Sequence, residues 1–117
     1  MARCLPLLVG PLLGVGLLLA GCAPQAGTEP VATNAVDLPP SYRFSPEAIT
    51  VPDGTTVTWT NNDNFTHNVR LLDDGGDTLT MAPGESVSFT FAGPGEHRYD
   101  CSFHPNDMSG VVVVSES

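Results

Sequence analysis

A chain of 117 residues with 13 acidic side chains, 4 basic ones and a formal net charge of −9 has no basic surface with which to hold nucleic-acid phosphates. Its length allows one small domain. The acidity suits a solvated surface or a cationic partner.

The first element in chain order is "MARCLPLLVGPLLGVGLLLAGC", in which Arg3 precedes an uncharged apolar run from Leu5 to Ala20. A basic start and an apolar core of this length make a secretory signal. Pro11 and three glycines inside the run weigh against a spanning helix. The run ends in "LAGC", Leu19 to Cys22, which resembles the bacterial lipobox. Residues 1–21 are therefore expected to be a signal peptide, cleaved before Cys22, with a diacylglyceryl group on the Cys22 sulfur. The mature protein would be exported and lipid-anchored to the cell envelope, with its domain in the periplasm or otherwise outside the cytoplasmic membrane.

Residues 22–40 are mostly proline, alanine and small polar residues without apolar periodicity. They are expected to form a flexible tether, with the folded domain at 41–117. Without Arg3, three basic side chains face 13 acidic ones, or −10. Cys4 leaves with the signal and Cys22 carries the lipid, so Cys101 is the one remaining thiol and no internal disulfide can form. An exported protein that keeps a lone thiol in an oxidising compartment needs a reason for it.

Within the domain, alternation is the strongest local signal. In "TTVTWTN" Val57 and Trp59 share one face and Thr56, Thr58 and Thr60 the other; in "SVSFTF" Val87, Phe89 and Phe91 alternate with hydroxyls. This is the period of half-buried antiparallel strands. Turn signals separate them: "PDG" at 52–54, "NNDN" at 61–64, "DDGGD" at 73–77, "APG" at 82–84 and "GPG" at 93–95. No helix-length periodic segment occurs, so the fold expected is all-β, a small sandwich or barrel. "VVVV" at 111–114 reads as a closing strand covered on both sides.

Chemistry concentrates near the end of the chain. His67 shares a strand face with Val69 and Leu71, and Cys101 shares one with Tyr99 and His97, so both faces should point inward. His67 opens its strand and Cys101 closes its own. If the strands are antiparallel, these ends meet at one pole, and the following turn returns His104 and Met108 over it. Two imidazoles, a thiolate and a thioether select copper, and this set belongs to blue-copper electron-transfer sites. Structural zinc prefers two or more cysteines, and catalytic zinc keeps an open position.

The stretch from about Tyr42 to Val114 resembles the cupredoxins, nearest their plastocyanin and amicyanin branch. The resemblance is carried by "FSPEAITVPDGTTVTWTNND", "HNV" and "YDCSFHPNDM". It implies a Greek-key β-sandwich binding one copper ion that cycles between Cu(I) and Cu(II). His67, Cys101 and His104 would be the equatorial ligands and Met108 the axial one. Asn68 would pin the loop bearing Cys101, and electrons would pass through His104. Three residues separate His104 from Met108, where amicyanins have two and plastocyanins four.

The remaining candidates are bland. His97 is about 13 Å from Cys101 along its strand and reads as a packed or rim histidine. Met81 reads as packing, Trp59 as core, and Asp100 and Asp107 as solvated charges, Asp100 facing outward. The function expected is a membrane-tethered mononuclear blue-copper electron carrier, monomeric, with redox proteins as partners, cationic ones fitting its charge. The alternative is an extracytoplasmic copper carrier or store that delivers the ion to another protein. No enzymatic activity is expected, because the chain has no histidine clusters for further copper sites.

Overall fold

The computed structural model of the chain describes residues 29–116. Every regular element among them is a strand: β1 Val31–Ala32, β2 Ala35–Leu38, β3 Ala48–Pro52, β4 Thr56–Asn61, β5 His67–Leu71, β6 Thr78–Met81, β7 Ser86–Thr90, β8 Gly95–Asp100 and β9 Ser109–Ser115. They build one sheet in the order β1-β3-β9-β8-β5-β6 and a second in the order β2-β4-β7. This is the all-β Greek-key sandwich that the alternation and the resemblance led one to expect.

The pattern in β4 shows why the sheets stack. Val57 and Trp59 are fully buried, while the three threonines that alternate with them face out and pair with hydroxyls of β7. Thr56 meets Thr90 at 2.6 Å, Thr58 meets Ser88 at 2.8 Å and Thr60 meets Ser86 at 2.8 Å. The outer face is thus a ladder of satisfied hydroxyls and the inner face is core. Trp59 packs edge-on to Tyr99 of β8, and Tyr99 to Phe44, which joins the two sheets. In β9, Val112 and Val114 are buried but Val111 and Val113 are only half-buried. The valine run is central in its sheet, between β3 and β8, without being covered equally on both faces.

The domain boundary expected at Ser41 needs correcting. β2 pairs in parallel with β4, Val36 opposite Trp59, and its Val36 and Leu38 are 2% and 0% exposed. β1 pairs in parallel with β3 in the other sheet. Residues 31–38 therefore belong to the folded unit and join both sheets. A four-residue strand such as "AVDL" gives only two inward positions, too few to stand out beside prolines and alanines. The proposed signal and lipid site, Cys22 included, lie outside the described residues.

Candidate metal centre

β5 and β8 are antiparallel neighbours, with Arg70 opposite Asp100 and Leu71 opposite Tyr99. His67 at the start of β5 and Cys101 just past the end of β8 therefore meet at one pole of the sandwich. Both are fully buried. His67 Nδ1 and Cys101 Sγ stand 3.8 Å apart. Two donors that share one ion at about 2.0 to 2.3 Å each can be no more than about 4.3 Å apart, so this pair fits a common metal.

The loop from Cys101 to Met108 is closed by its own backbone. Cys101 N donates to Met108 O at 3.1 Å, and His104 N donates to Cys101 O at 3.0 Å. Asp107 N and Met108 N both donate to His104 O, at 3.0 and 2.9 Å. These bonds return Met108, 1% exposed, to the core cluster that holds Cys101. His104 is half-buried at the loop's crest, its ring centroid 5.9 Å from that of His67. Among the described residues, no three His, Cys, Asp or Glu side chains lie within one ion's reach as they stand. His67 and Cys101 stand together, and His104 does not yet close a three-donor group with them. The donor chemistry, one thiol, two imidazoles and a thioether around a buried pair, fits copper better than any harder ion.

Asn68 points to the other face of β5. Its Nδ2 donates to Ser102 Oγ and its Oδ1 accepts from Ser102 N, both at 2.8 Å. This pair of hydrogen bonds ties β5 to the first residue after Cys101.

Several neighbours were not foreseen from sequence. Asp63, in what reads as a polar turn, is 6% exposed and accepts a hydrogen bond from His67 Nε2 at 2.8 Å. That bond, ahead of the opposing effect of burial, holds the Asp63 carboxyl below the ordinary carboxylate range. Tyr42, whose φ of 51° is left-handed, lays its ring 4.5 Å from that of His104 and 5.8 Å from that of His67. Phe65, 56% exposed, stacks on Tyr42 with ring centroids 5.9 Å apart, and Phe103, the residue before His104, is 54% exposed. Asp100 does not face outward: it is 7% exposed and paired with Arg70. Its strand position alternates as expected, but an arginine directly opposite on β5 draws the carboxylate under cover.

His97 lies away from the pole. Its Nδ1 meets Asp74 at 3.0 Å and its Nε2 meets Gly93 O at 2.7 Å. The Gly93 carbonyl and an ionised Asp74 only accept, so both bonds are made together when the ring carries a proton on each nitrogen. Burial works to lower its pKa, but the Gly93 carbonyl and the Asp74 carboxylate together leave it raised.

A family model described as copper binding proteins, plastocyanin/azurin family, matches residues 33–115. The chloroplast plastocyanin of Tetradesmus obliquus is 36% identical over 83 residues, 61% of this chain and 57% of that protein. The chain thus spans a little over half the length of that relative. Amicyanin-alpha of Methylorubrum extorquens is 28% identical over 102 residues, 83% of this chain and 84% of the relative. Among solved structures, a purple cupredoxin from Nitrosopumilus maritimus superposes with a TM-score of 0.61 and 31% identity, across 71% of this chain and 100% of that one. A reduced amicyanin variant superposes with a TM-score of 0.63 and 30% identity, across 77% and 95%.

Proposed function

The chain belongs to the plastocyanin/azurin family of copper binding proteins, and on that premise we propose that it is a membrane-tethered electron carrier with one copper centre at the pole described above. His67, Cys101 and His104 would hold the ion, with Met108 as the weaker fourth ligand. When bound, copper supplies a one-electron Cu(I)/Cu(II) couple. The chain's own residues set the conditions. Burial of His67, Cys101 and Met108 excludes water, and four protein donors leave no position for a substrate. We therefore assign no catalytic reaction. His104, half-buried beside Tyr42, is the one of these four donors near the surface and would be the exit for the electron.

The observation that carries this reading is the buried Cys101 Sγ–His67 Nδ1 pair at 3.8 Å. It gives a reason for a lone thiol. Cu(II) added to the protein is expected to produce an intense visible colour that Cys101→Ser abolishes, since a hydroxyl cannot replace a thiolate donor. A colourless adduct, or the same spectrum in the variant, would sink the assignment. Ready release of Cu(I) to an acceptor, in place of reversible voltammetry, would make the protein a copper carrier.

The anchor is read from the Leu19–Cys22 pattern. With β1 beginning at Val31, the tether is shorter than the sequence suggests. Seven residue steps separate Cys22 from Glu29, at most about 25 Å of chain. Glu29 lines a cleft with Ser109 and Gly110, next in sequence to Met108, and β1, β3 and β9 run parallel from that end. A lipid on Cys22 would thus hold the copper-bearing pole close to the bilayer, within reach of a membrane-bound redox partner, cationic to match the acidic surface. Cys22→Ser should leave the protein unprocessed or soluble. A mature N-terminus without lipid, read by mass spectrometry, would end this idea.

A further inference from the structure

The loop between β4 and β5 does more than turn the chain. Asn61, fully buried at the end of β4, spends its whole side chain on that loop's shape. Its Oδ1 accepts from Asp63 N at 3.0 Å, and its Nδ2 donates to Phe65 O at 2.8 Å and to Met81 O at 3.1 Å. From outside, Asn62 N donates to Leu38 O of β2 at 3.0 Å. The loop is therefore pinned on both sides of Asp63.

Asp63 is in turn fully oriented. Its Oδ1 accepts from Asn64 N at 2.7 Å, which leaves Oδ2 for His67 Nε2 at 2.8 Å. An ionised carboxylate can only accept, so the proton of a neutral His67 must sit on Nε2. Nδ1 is then the bare lone pair, and Nδ1 is the atom that faces Cys101 Sγ. A backbone carbonyl in place of Asp63 would orient the ring equally well but would bring no charge. Asp63 is 6% exposed, and a buried charge is far less screened by water than one on the surface.

We propose that Asp63 is a positioning residue of the copper centre: it fixes His67 in the Nε2–H form, aims Nδ1 at the metal, and through its buried charge favours Cu(II) over Cu(I). This inference rests on His67 being a copper ligand. Carboxylate–histidine–metal triads of this kind raise the basicity of the ligand, and their loss typically costs 10- to 100-fold in metal affinity.

The test uses two variants of the whole protein. In Asp63→Asn the amide oxygen can still accept from Nε2 but the charge is gone; in Asp63→Ala both are lost. Nitrogen NMR of the copper-free protein, at a pH where the ring is neutral, reads the tautomer without any metal. Wild type and Asp63→Asn are expected to show the Nε2–H form, and Asp63→Ala a mixture of tautomers. Voltammetry should show the Cu(II)/Cu(I) affinity ratio falling about tenfold in Asp63→Asn, a rise in potential of about 59 mV, nearly independent of salt. If Asp63→Ala does not fold, the isosteric Asp63→Asn potential decides the matter alone. A wild-type potential in Asp63→Asn overturns the role of the charge, and a wild-type tautomer in folded Asp63→Ala overturns the role in orientation. If wild type itself takes up no copper with a Cys101-dependent colour, the reading of the site fails instead, and the tautomer still reports on Asp63.

Discussion

Arg70 and Asp100 meet through two parallel hydrogen bonds, Nε to Oδ1 and Nη2 to Oδ2, each 2.8 Å long. They face each other across β5 and β8, and Asp100 is the residue before Cys101. The pair therefore clamps the end of β8 at the thiol. The Arg70 side chain is 37% exposed, so water screens part of the attraction. Asp100→Asn should lower the midpoint of a urea melt, because Arg70 loses its charged partner and the end of β8 its clamp. It should also raise the reduction potential, because Arg70 is left uncompensated beside Cys101. An unchanged potential would mean that solvent already cancels both charges.

Asp107, exposed in the Cys101–Met108 loop next to Met108, offers a contrast. At roughly 8 Å and an effective dielectric of about 40 to 80, its charge is worth roughly 0.5 to 1 kcal/mol to Cu(II). That corresponds to roughly 20 to 45 mV for one electron. Asp107→Asn should raise the potential by this amount at low salt and by less at high salt. A fall, or a rise that ignores salt, would show that loop geometry outweighs charge there.

Met108 closes the loop through Cys101 N and is 1% exposed. Leucine fills nearly the same volume, so Met108→Leu should fold, keep copper and keep some colour. Its potential should shift, because an axial thioether tunes the site more than it holds it. Complete loss of copper in this variant would count against an axial role.

His97 gives the protein a pH dependence remote from copper. Its folded pKa is raised above the unfolded value of about 6.5. The stability it adds is therefore fully present below about pH 6.5 and is lost as pH rises through the folded pKa. Melts of the copper-free protein should weaken across that window, by no more than about 1.4 kcal/mol per pH unit, the limit for one proton. His97→Gln should flatten the slope. An equal slope in the variant would assign the proton to another group.

Tyr99 carries a cost at the centre of the core. Among the described residues, its hydroxyl and Trp59 Nε1 are buried without a hydrogen-bond partner, and burial raises the phenol's pKa. Tyr99→Phe should stabilise the protein by about 1 kcal/mol, because it removes an unsatisfied polar group. A loss of stability would reveal a buried partner such as water. The same ring makes Gly110 irreplaceable by a larger residue: a Cβ there would stand 2.4 Å from Tyr99 Cζ and 2.9 Å from Glu47 O. Gly110→Ala should cost on the order of 1 to 3 kcal/mol.

The strands carrying Val57, Trp59, Val69 and Val112 are legible in the linear chain because alternation is a local property and burial of one sheet face imposes it directly. The candidate ligands are legible for a similar reason. Cys101, His104 and Met108 share one short loop, and soft donors are rare enough in this chain for their spacing to carry meaning. Asp63 and Asp100 carry no such mark. A carboxylate in a polar turn, or on an outward strand position, looks the same in sequence whether it meets water, an imidazole or a guanidinium. Which of these it meets depends on the partner that the fold sets opposite. For Asp100 that partner is Arg70, 30 residues away along the chain; for Asp63 it is a ring whose direction is set by a loop pinned from Asn61 and Leu38. β2 was hidden for a related reason, since two inward residues acquire a pattern only when β4 stands beside them. Local periodicity and donor chemistry are written along the chain, whereas the pairing of charges and the direction of a ring arise from contacts between segments that only folding brings together.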